Sequence, residues 1–197
     1  ADIALHLSKT TVLVFTLLIS ILGGRVIPFF TANATRTPQV KPIIWLDYLT
    51  ISLSIIGASF FAFSINNPSN VYPGLVMISV GLLQLARSAR WLNANVLTVP
   101  LLWSLHIAYY FMAIGLIIMG ASYFQLPFHL TLSQGIHTIT VGAIGLMILS
   151  MMSRVSLGHT GRLLQPKPLI IFAFLNLILA TLIRVLLPTL GYLAEAI

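Results

Sequence analysis

Long apolar runs separated by short polar segments dominate the pattern of this chain. The runs predict six helices, at about residues 9–31, 43–65, 71–91, 98–122, 132–154 and 168–191. A bilayer core about 30 Å thick needs about 20 helical residues to cross it, and each run reaches that length. We therefore expect an all-α fold, a polytopic transmembrane bundle of about six helices that forms one domain over residues 1–197.

Breaker residues separate the runs where the chain is expected to return to water. They stand at residues 35–38, 66–70, 93–95, 125–127 and 165–168. Because these connections are short, we expect neighbouring helices to be antiparallel within one bundle. Residues 1–8 are interpreted as the tail of an earlier segment, and the start on Ala1 indicates a processed chain or a fragment of a longer protein.

Composition excludes several kinds of site. Apolar residues make up 58% of the chain and charged residues 7%, so polar groups inside or beside the apolar runs are the first candidates for function. The lack of cysteine excludes disulfides, thiolate metal sites and iron–sulfur clusters. Histidine, methionine and three acidic residues remain as metal ligands.

The basic residues are divided unequally between the two predicted membrane faces. One face carries Arg25, Arg36, Lys41, Arg87, Arg90, Arg154, Arg162 and Lys167, and the other carries Lys9 and Arg184. The positive-inside bias then makes the loops after helices one, three and five cytoplasmic, while the chain ends and the loops around Asn66 and Pro127 face outward. This asymmetry explains most of the net charge of +7, and no soluble basic face indicates a nucleic-acid partner.

Two polar motifs lie at the predicted cytoplasmic face. In the first, residues 23–31, a glycine pair and Arg25 precede Pro28, so a kinked helix could turn the arginine toward an anion. The alternative is an arginine that snorkels to the interface.

The second motif, residues 154–162, crowds Arg154, His159 and Arg162 around two glycines. We interpret it as a loop with a tight turn, which with Arg25 would form a cationic pocket for carboxylates such as haem propionates. The alternative is a basic loop that contacts anionic lipid.

Two histidines, His106 and His137, fall inside predicted membrane helices. His106 shares a helix face with Trp103 and Tyr110, which suggests a neighbouring helix or a planar ligand bordered by aromatic rings. His137 precedes Gly142 and Gly145, which permit close approach of a helix or a flat macrocycle. The alternative for each histidine is a hydrogen bond within the bundle.

Helix depth argues against both histidines binding one iron. With a rise of about 1.5 Å per residue, His137 lies roughly 8 Å and His106 about 24 Å from the outer ends of their helices. His129 and His6 are candidate partners for His137 because they lie on the same outer side. Residues Met147 and Met151 could offer soft ligands to Cu(I), although methionine more often fills apolar space.

Three blocks of this sequence together resemble the NnrS family of bacterial inner-membrane proteins. The blocks are residues 24–31, residues 137–145 and residues 151–162. The resemblance implies a haem- and copper-containing protein of the response to nitric oxide and nitrosative stress, with nitric oxide as a ligand. Family members are about twice as long as this chain, so the resemblance implies a C-terminal half whose metal site is completed by a missing N-terminal half or an oligomer partner.

The leading hypothesis is therefore a haem- and copper-binding membrane protein. Its candidate metal ligands are His106, His137 and His159, and its candidate cofactor pocket comprises Arg25, Arg154 and Arg162 with His159. No residue decides between catalysis and binding or sensing. One alternative is a cofactor-free transporter or channel for a small anion that uses the same arginines, and another is a scaffold whose polar groups serve only helix packing.

Overall fold

The computed structural model describes residues 2–64, 71–124 and 130–195, and these ranges contain helices and no strand. The helices are α1 (Asp2–Thr35), α2 (Ile44–Phe63), α3 (Tyr72–Ala89), α4 (Pro100–Ala121), α5 (Leu132–His159) and α6 (Pro168–Glu195). A short 3-10 turn, Ala94–Thr98, precedes α4. The predicted all-α helical bundle is thereby confirmed.

The middle helices begin and end close to the predicted positions, whereas α1 is longer than predicted. It begins at Asp2 and ends at Thr35, so residues 2–8 are its first turns rather than the tail of a separate segment. Pro28 lies inside α1, and the helix continues through it. The predicted outer loops around Asn66 and Pro127 fall outside the described residues, as does His129.

The second polar motif is mostly helical, which corrects the prediction of a loop. Helix α5 continues through Arg154 to His159, and Gly158 lies within it. Within this motif, Gly161 adopts a left-handed conformation, with a φ of 65°. The Arg162 amide then donates to the Leu157 carbonyl at 3.1 Å, which closes the helix end as a Schellman motif does. No breaker interrupts residues 146–157, which is why the helix runs past the predicted end at residue 154.

Five of the six described helices are long and apolar enough to cross a bilayer. The exception is α3, whose hydropathy is lowered by Gln84 and Arg87 on its inner face. Large apolar side chains on the outer surfaces of α1, α2 and α6 are exposed, including Phe15, Trp45 and Phe172. Such a surface fits contact with lipid, as the sequence predicts.

Helix α4 lies at the centre of the bundle and approaches its neighbours through glycines. A Cβ on Gly120 would lie 2.5 Å from the Gly74 carbonyl oxygen of α3. On the other side, a Cβ on Gly115 would lie 3.0 Å from the Gly135 carbonyl oxygen of α5. Close approach through small residues is a common way for membrane helices to pack. These contacts fix α3 and α5 against opposite sides of α4.

We predict that Gly120→Ala destabilises the bundle by about 1–3 kcal/mol, because the new methyl group meets backbone that cannot rotate away. The measurement is thermal unfolding of the purified chain in detergent, followed by circular dichroism. Gly158→Ala is the matched control, since a Cβ there meets nothing within 4 Å and the residue is helical. Equal melting temperatures for the two variants would contradict close packing at Gly120.

Contacts between helix ends bring the basic residues to one end of the bundle, which we name the basic end. Arg87 near the end of α3 pairs with Asp47 near the start of α2. Arg154 of α5 stacks on Phe30 near the end of α1. The loops after α1, α3 and α5 therefore lie together. The basic groups that the sequence places at one face lie in these loops or in the parts of α1, α3 and α5 that lead to them.

Candidate functional site

Arg87 is buried among three other helices at the basic end. Its Nε lies 2.6 Å from Asp47 Oδ1, and its Nη1 donates to the Ser20 carbonyl at 2.9 Å and to the Tyr109 hydroxyl at 3.2 Å. Only 4% of the residue is exposed. A buried guanidinium needs a nearby opposite charge, and the Asp47 carboxylate provides it. Gly24 makes room for this arrangement, because a Cβ there would overlap the Arg87 guanidinium.

Two further polar groups complete a network around Arg87. Gln84 donates from Nε2 to Ser20 Oγ at 2.6 Å and accepts from the Tyr109 hydroxyl. We name the set Ser20, Asp47, Gln84, Arg87 and Tyr109 the polar network. Its members come from α1, α2, α3 and α4, so it joins four helices at their interior.

This network was not predicted from the sequence, because Arg87 was counted only among the basic residues of one membrane face. One signal could have found it. Gln84 and Arg87 are three residues apart and therefore share a helix face. A membrane-embedded face with an amide and a guanidinium requires partners, and Asp47 is one of only three acidic residues in the chain.

A cavity of about 330 Å³ adjoins the polar network, and Arg87 and Asp47 of the network line it. Its charged lining residues are three arginines, Arg25, Arg87 and Arg90, together with Asp47. A second cavity of about 180 Å³ shares Pro28, Val40, Arg90 and Trp91 with the first. Of the predicted cationic group, Arg25 lines the larger cavity.

The other members of the predicted cationic group lie elsewhere at the basic end. Arg154 is 8% exposed, and its guanidinium carbon lies 4.2 Å from the centre of the Phe30 ring. Its Nε is buried and has no hydrogen-bond partner among the described residues. His159 and Arg162 are exposed at and beyond the end of α5. Arg154 is thus the buried cation of the second motif.

His106 on α4 is 3% exposed. Its Nδ1 lies 3.0 Å from the Leu102 carbonyl, and a carbonyl can only accept, so Nδ1 carries the hydrogen. In the neutral ring Nε2 then holds the lone pair, and it is buried without a hydrogen-bond partner among the described residues. The Trp91 backbone also lies near the ring. It does not have the geometry of a hydrogen bond to Nε2. Metal-binding histidines commonly have this arrangement, with one nitrogen donating to a carbonyl.

His137 has a different environment. Its Nε2 lies 3.2 Å from Arg184 Nη2 of α6, and a guanidinium can only donate, so Nε2 accepts. His137 directly precedes a π-helical segment of α5, Thr138–Gly145. Within that segment, a Cβ on Gly142 would meet Phe111 of α4 at 2.7 Å. Gly142 therefore allows the approach of another helix in this structure.

The remaining residues that were predicted to bind a metal or to border a planar ligand make contacts within the bundle. His6 stacks on Phe61 with ring centres 4.7 Å apart, and its Nε2 bonds to the Phe61 carbonyl at 2.9 Å, so it contacts α2 rather than His137. Met147 and Met151 pack against the apolar core as partly buried side chains. Trp103 meets Phe174 edge-on at 5.9 Å, which serves the contact between α4 and α6. Among the described residues, no three histidine or acidic side chains form a metal-binding group.

Comparison with known proteins identifies a family. The family model described as NnrS protein matches residues 1–196, nearly the whole chain. No curated protein and no solved structure matches.

Proposed function

Since the chain belongs to the NnrS family, we propose that it binds haem and copper in the membrane and acts in the response to nitric oxide and nitrosative stress. The length of the family match and five helices capable of crossing a bilayer support this assignment. We further propose the bacterial inner membrane as its location, with the basic end in the cytoplasm, because basic loops are retained on that side.

The observation that carries the proposal is His106 Nε2, which is buried and has no hydrogen-bond partner among the residues that the structure describes. A buried imidazole nitrogen without a partner is costly in the membrane, and a metal bond would satisfy it. The Leu102 carbonyl fixes the tautomer that leaves Nε2 able to bind a metal. His106 would thus hold a haem iron through Nε2. When bound, the haem would supply an iron able to bind nitric oxide.

The remaining site residues have proposed roles that follow from their surroundings. His137 would bind a metal through Nδ1, because Nε2 accepts from Arg184. His159 is exposed and would bind copper at the surface of the basic end. Arg154 and Arg162 would pair with haem carboxylates, whereas Arg25 lines the larger cavity, to which neither of them contributes. The further ligands come from a second chain or from an additional segment of a longer protein.

A cofactor-free anion transporter is the alternative, and the cavity with three arginines favours it. Passage through the bundle would require a path beyond the cavity. The side chains of Arg87, Gln84 and Tyr109 occupy the space between α1, α3 and α4 below it, and each is at most 4% exposed. This arrangement supports binding at the basic end rather than passage through it.

Visible absorption of the purified full chain, oxidised and reduced with dithionite, tests the proposal together with copper analysis of the same sample. We expect a Soret band that shifts on reduction and on addition of nitric oxide. A featureless spectrum without copper, combined with chloride or nitrate flux in liposomes, would instead identify the transporter.

We predict that Arg154→Ala weakens haem retention, because it removes the buried cation stacked on Phe30. Haem transfer to excess apomyoglobin measures the effect, and we expect transfer about ten times faster, as a lost charged hydrogen bond of roughly 1.5 kcal/mol would give. Lys167→Ala is the control, since Lys167 is exposed at the same end. Equal transfer rates for the two variants would exclude Arg154 as a carboxylate partner.

A further inference from the structure

The larger cavity combines a charged end with an apolar wall. It lies between α1, the start of α2 and the end of α3, and its volume of about 330 Å³ is at the lower end for ligand pockets. The charged end contains Arg25, Arg87, Arg90 and Asp47. Three cations against one carboxylate leave this end positively charged.

Two of the three arginines remain available to a ligand. Arg87 is neutralised by Asp47, whose Oδ1 lies 2.6 Å from its Nε. Arg90 donates from Nη2 to the Lys41 carbonyl at 3.1 Å, which uses one of the five N–H donors of a guanidinium. Arg25 lies across the cavity on α1 and is exposed. An anion between Arg25 and Arg90 would thus meet two charges that have no carboxylate partner in the cavity lining.

The apolar wall opens toward the predicted lipid surface. It is formed by Ile21 of α1 with Ile44, Tyr48 and Ile51 of α2. Tyr48 is 70% and Ile44 66% exposed, on a helix that can cross a bilayer. A small free anion would contact the arginines and leave this wall bare. A ligand with an anionic head and an apolar body would cover both parts.

We propose that this cavity binds an anionic phospholipid, with the phosphate between Arg25 and Arg90 and an acyl chain against Ile21 and Ile51. Basic pockets between membrane helices on the cytoplasmic side bind such headgroups. The polar network holds Arg87 at the base of the cavity through Ser20 and Asp47, so the charged end is formed before the lipid arrives. This site is independent of the haem ligands proposed above.

Native mass spectrometry of the delipidated full chain in detergent tests the proposal, with phosphatidylglycerol as the probe and phosphatidylcholine as the neutral comparison. We expect selective binding of phosphatidylglycerol. Arg25→Gln and Arg90→Gln should each weaken it about fivefold, the effect of one basic group near an anionic lipid. Lys167→Gln is the matched control, an exposed charge at the same end outside the cavity lining, and should bind as the unaltered chain does.

Several outcomes would overturn the assignment. Equal weakening by Lys167→Gln would indicate a diffuse basic surface, and unaltered binding in both arginine variants would exclude the cavity. Displacement of the lipid by millimolar inorganic phosphate would identify a free-anion site.

Haem content, measured on the same samples, should be unchanged in all three variants. Loss of haem with retained lipid binding would assign the cavity to haem carboxylates instead. Both arginines are exposed, so both variants should fold, and circular dichroism is the check of that expectation.

Discussion

Arg87→Met is expected to lower the free energy of unfolding by about 3–5 kcal/mol, the cost of removing one partner of a buried ion pair. The substitution leaves the Asp47 carboxylate without its cation and removes the Arg87 donor from the Ser20 carbonyl and the Tyr109 hydroxyl. Ser20 and Tyr109 are fully buried and the Asp47 side chain is 27% exposed in the cavity lining, so water replaces the lost interactions only in part. Reversible denaturation in mixed detergent micelles, followed by circular dichroism, measures the change.

A double-mutant cycle separates the ion pair from simple loss of packing. Asp47→Leu alone should be strongly destabilising, because it leaves the Arg87 charge buried and uncompensated. The double variant with Asp47→Leu and Arg87→Met should be more stable than either single variant, since apolar replacement of a buried pair is often nearly neutral. The exposed control Lys167→Met should stay within about 0.5 kcal/mol of the unaltered chain. Additive single effects would show that the two charges act separately.

Most of the fold could be predicted because membrane helices depend on local properties. A run of about 20 apolar residues reveals a helix without knowledge of its neighbours, and breakers reveal its ends. The extension of α5 through Arg154 to His159 was missed because Gly158 and Gly161 together were interpreted as a tight turn, whereas Gly158 is helical and only Gly161 of the two lies beyond the helix end. The π-helical segment after His137 was missed as well, since its sequence, residues 138–145, is as apolar as the α-helical turns around it.

The candidate site was harder to predict because its residues meet only through the tertiary structure. Ser20 and Gln84 are 64 positions apart in the chain, and nothing local to either residue indicates the other. Both membrane histidines were identified from the sequence, which shows imidazole groups inside apolar runs. The two histidines differ in their surroundings. Arg184 donates a hydrogen bond to Nε2 of His137, whereas Nε2 of His106 has no partner among the described residues. Sequence patterns alone contain no information on that difference.

The His106→Ala variant is expected to lose the Soret band. It should retain about one tenth or less of the haem bound by the unaltered chain, because it removes the nitrogen that would hold the iron. Pyridine haemochrome analysis of equal protein amounts measures the loss. Ser104→Ala is the matched control. Ser104 is also fully buried on α4, and its hydroxyl likewise has no described partner, so this variant should retain haem.

Added imidazole distinguishes a ligand from a packing residue. The alanine variant leaves a space of the size of the lost ring, and a small imidazole that enters it can bind iron without any bond to the helix. We expect imidazole to restore haem binding and the Soret band in His106→Ala. Restoration of the melting temperature alone, with haem still absent, would show that the His106 ring only fills the core. Because Nδ1 donates to Leu102 in the folded chain, the restored spectrum should differ slightly in band position, since free imidazole lacks that fixed hydrogen bond.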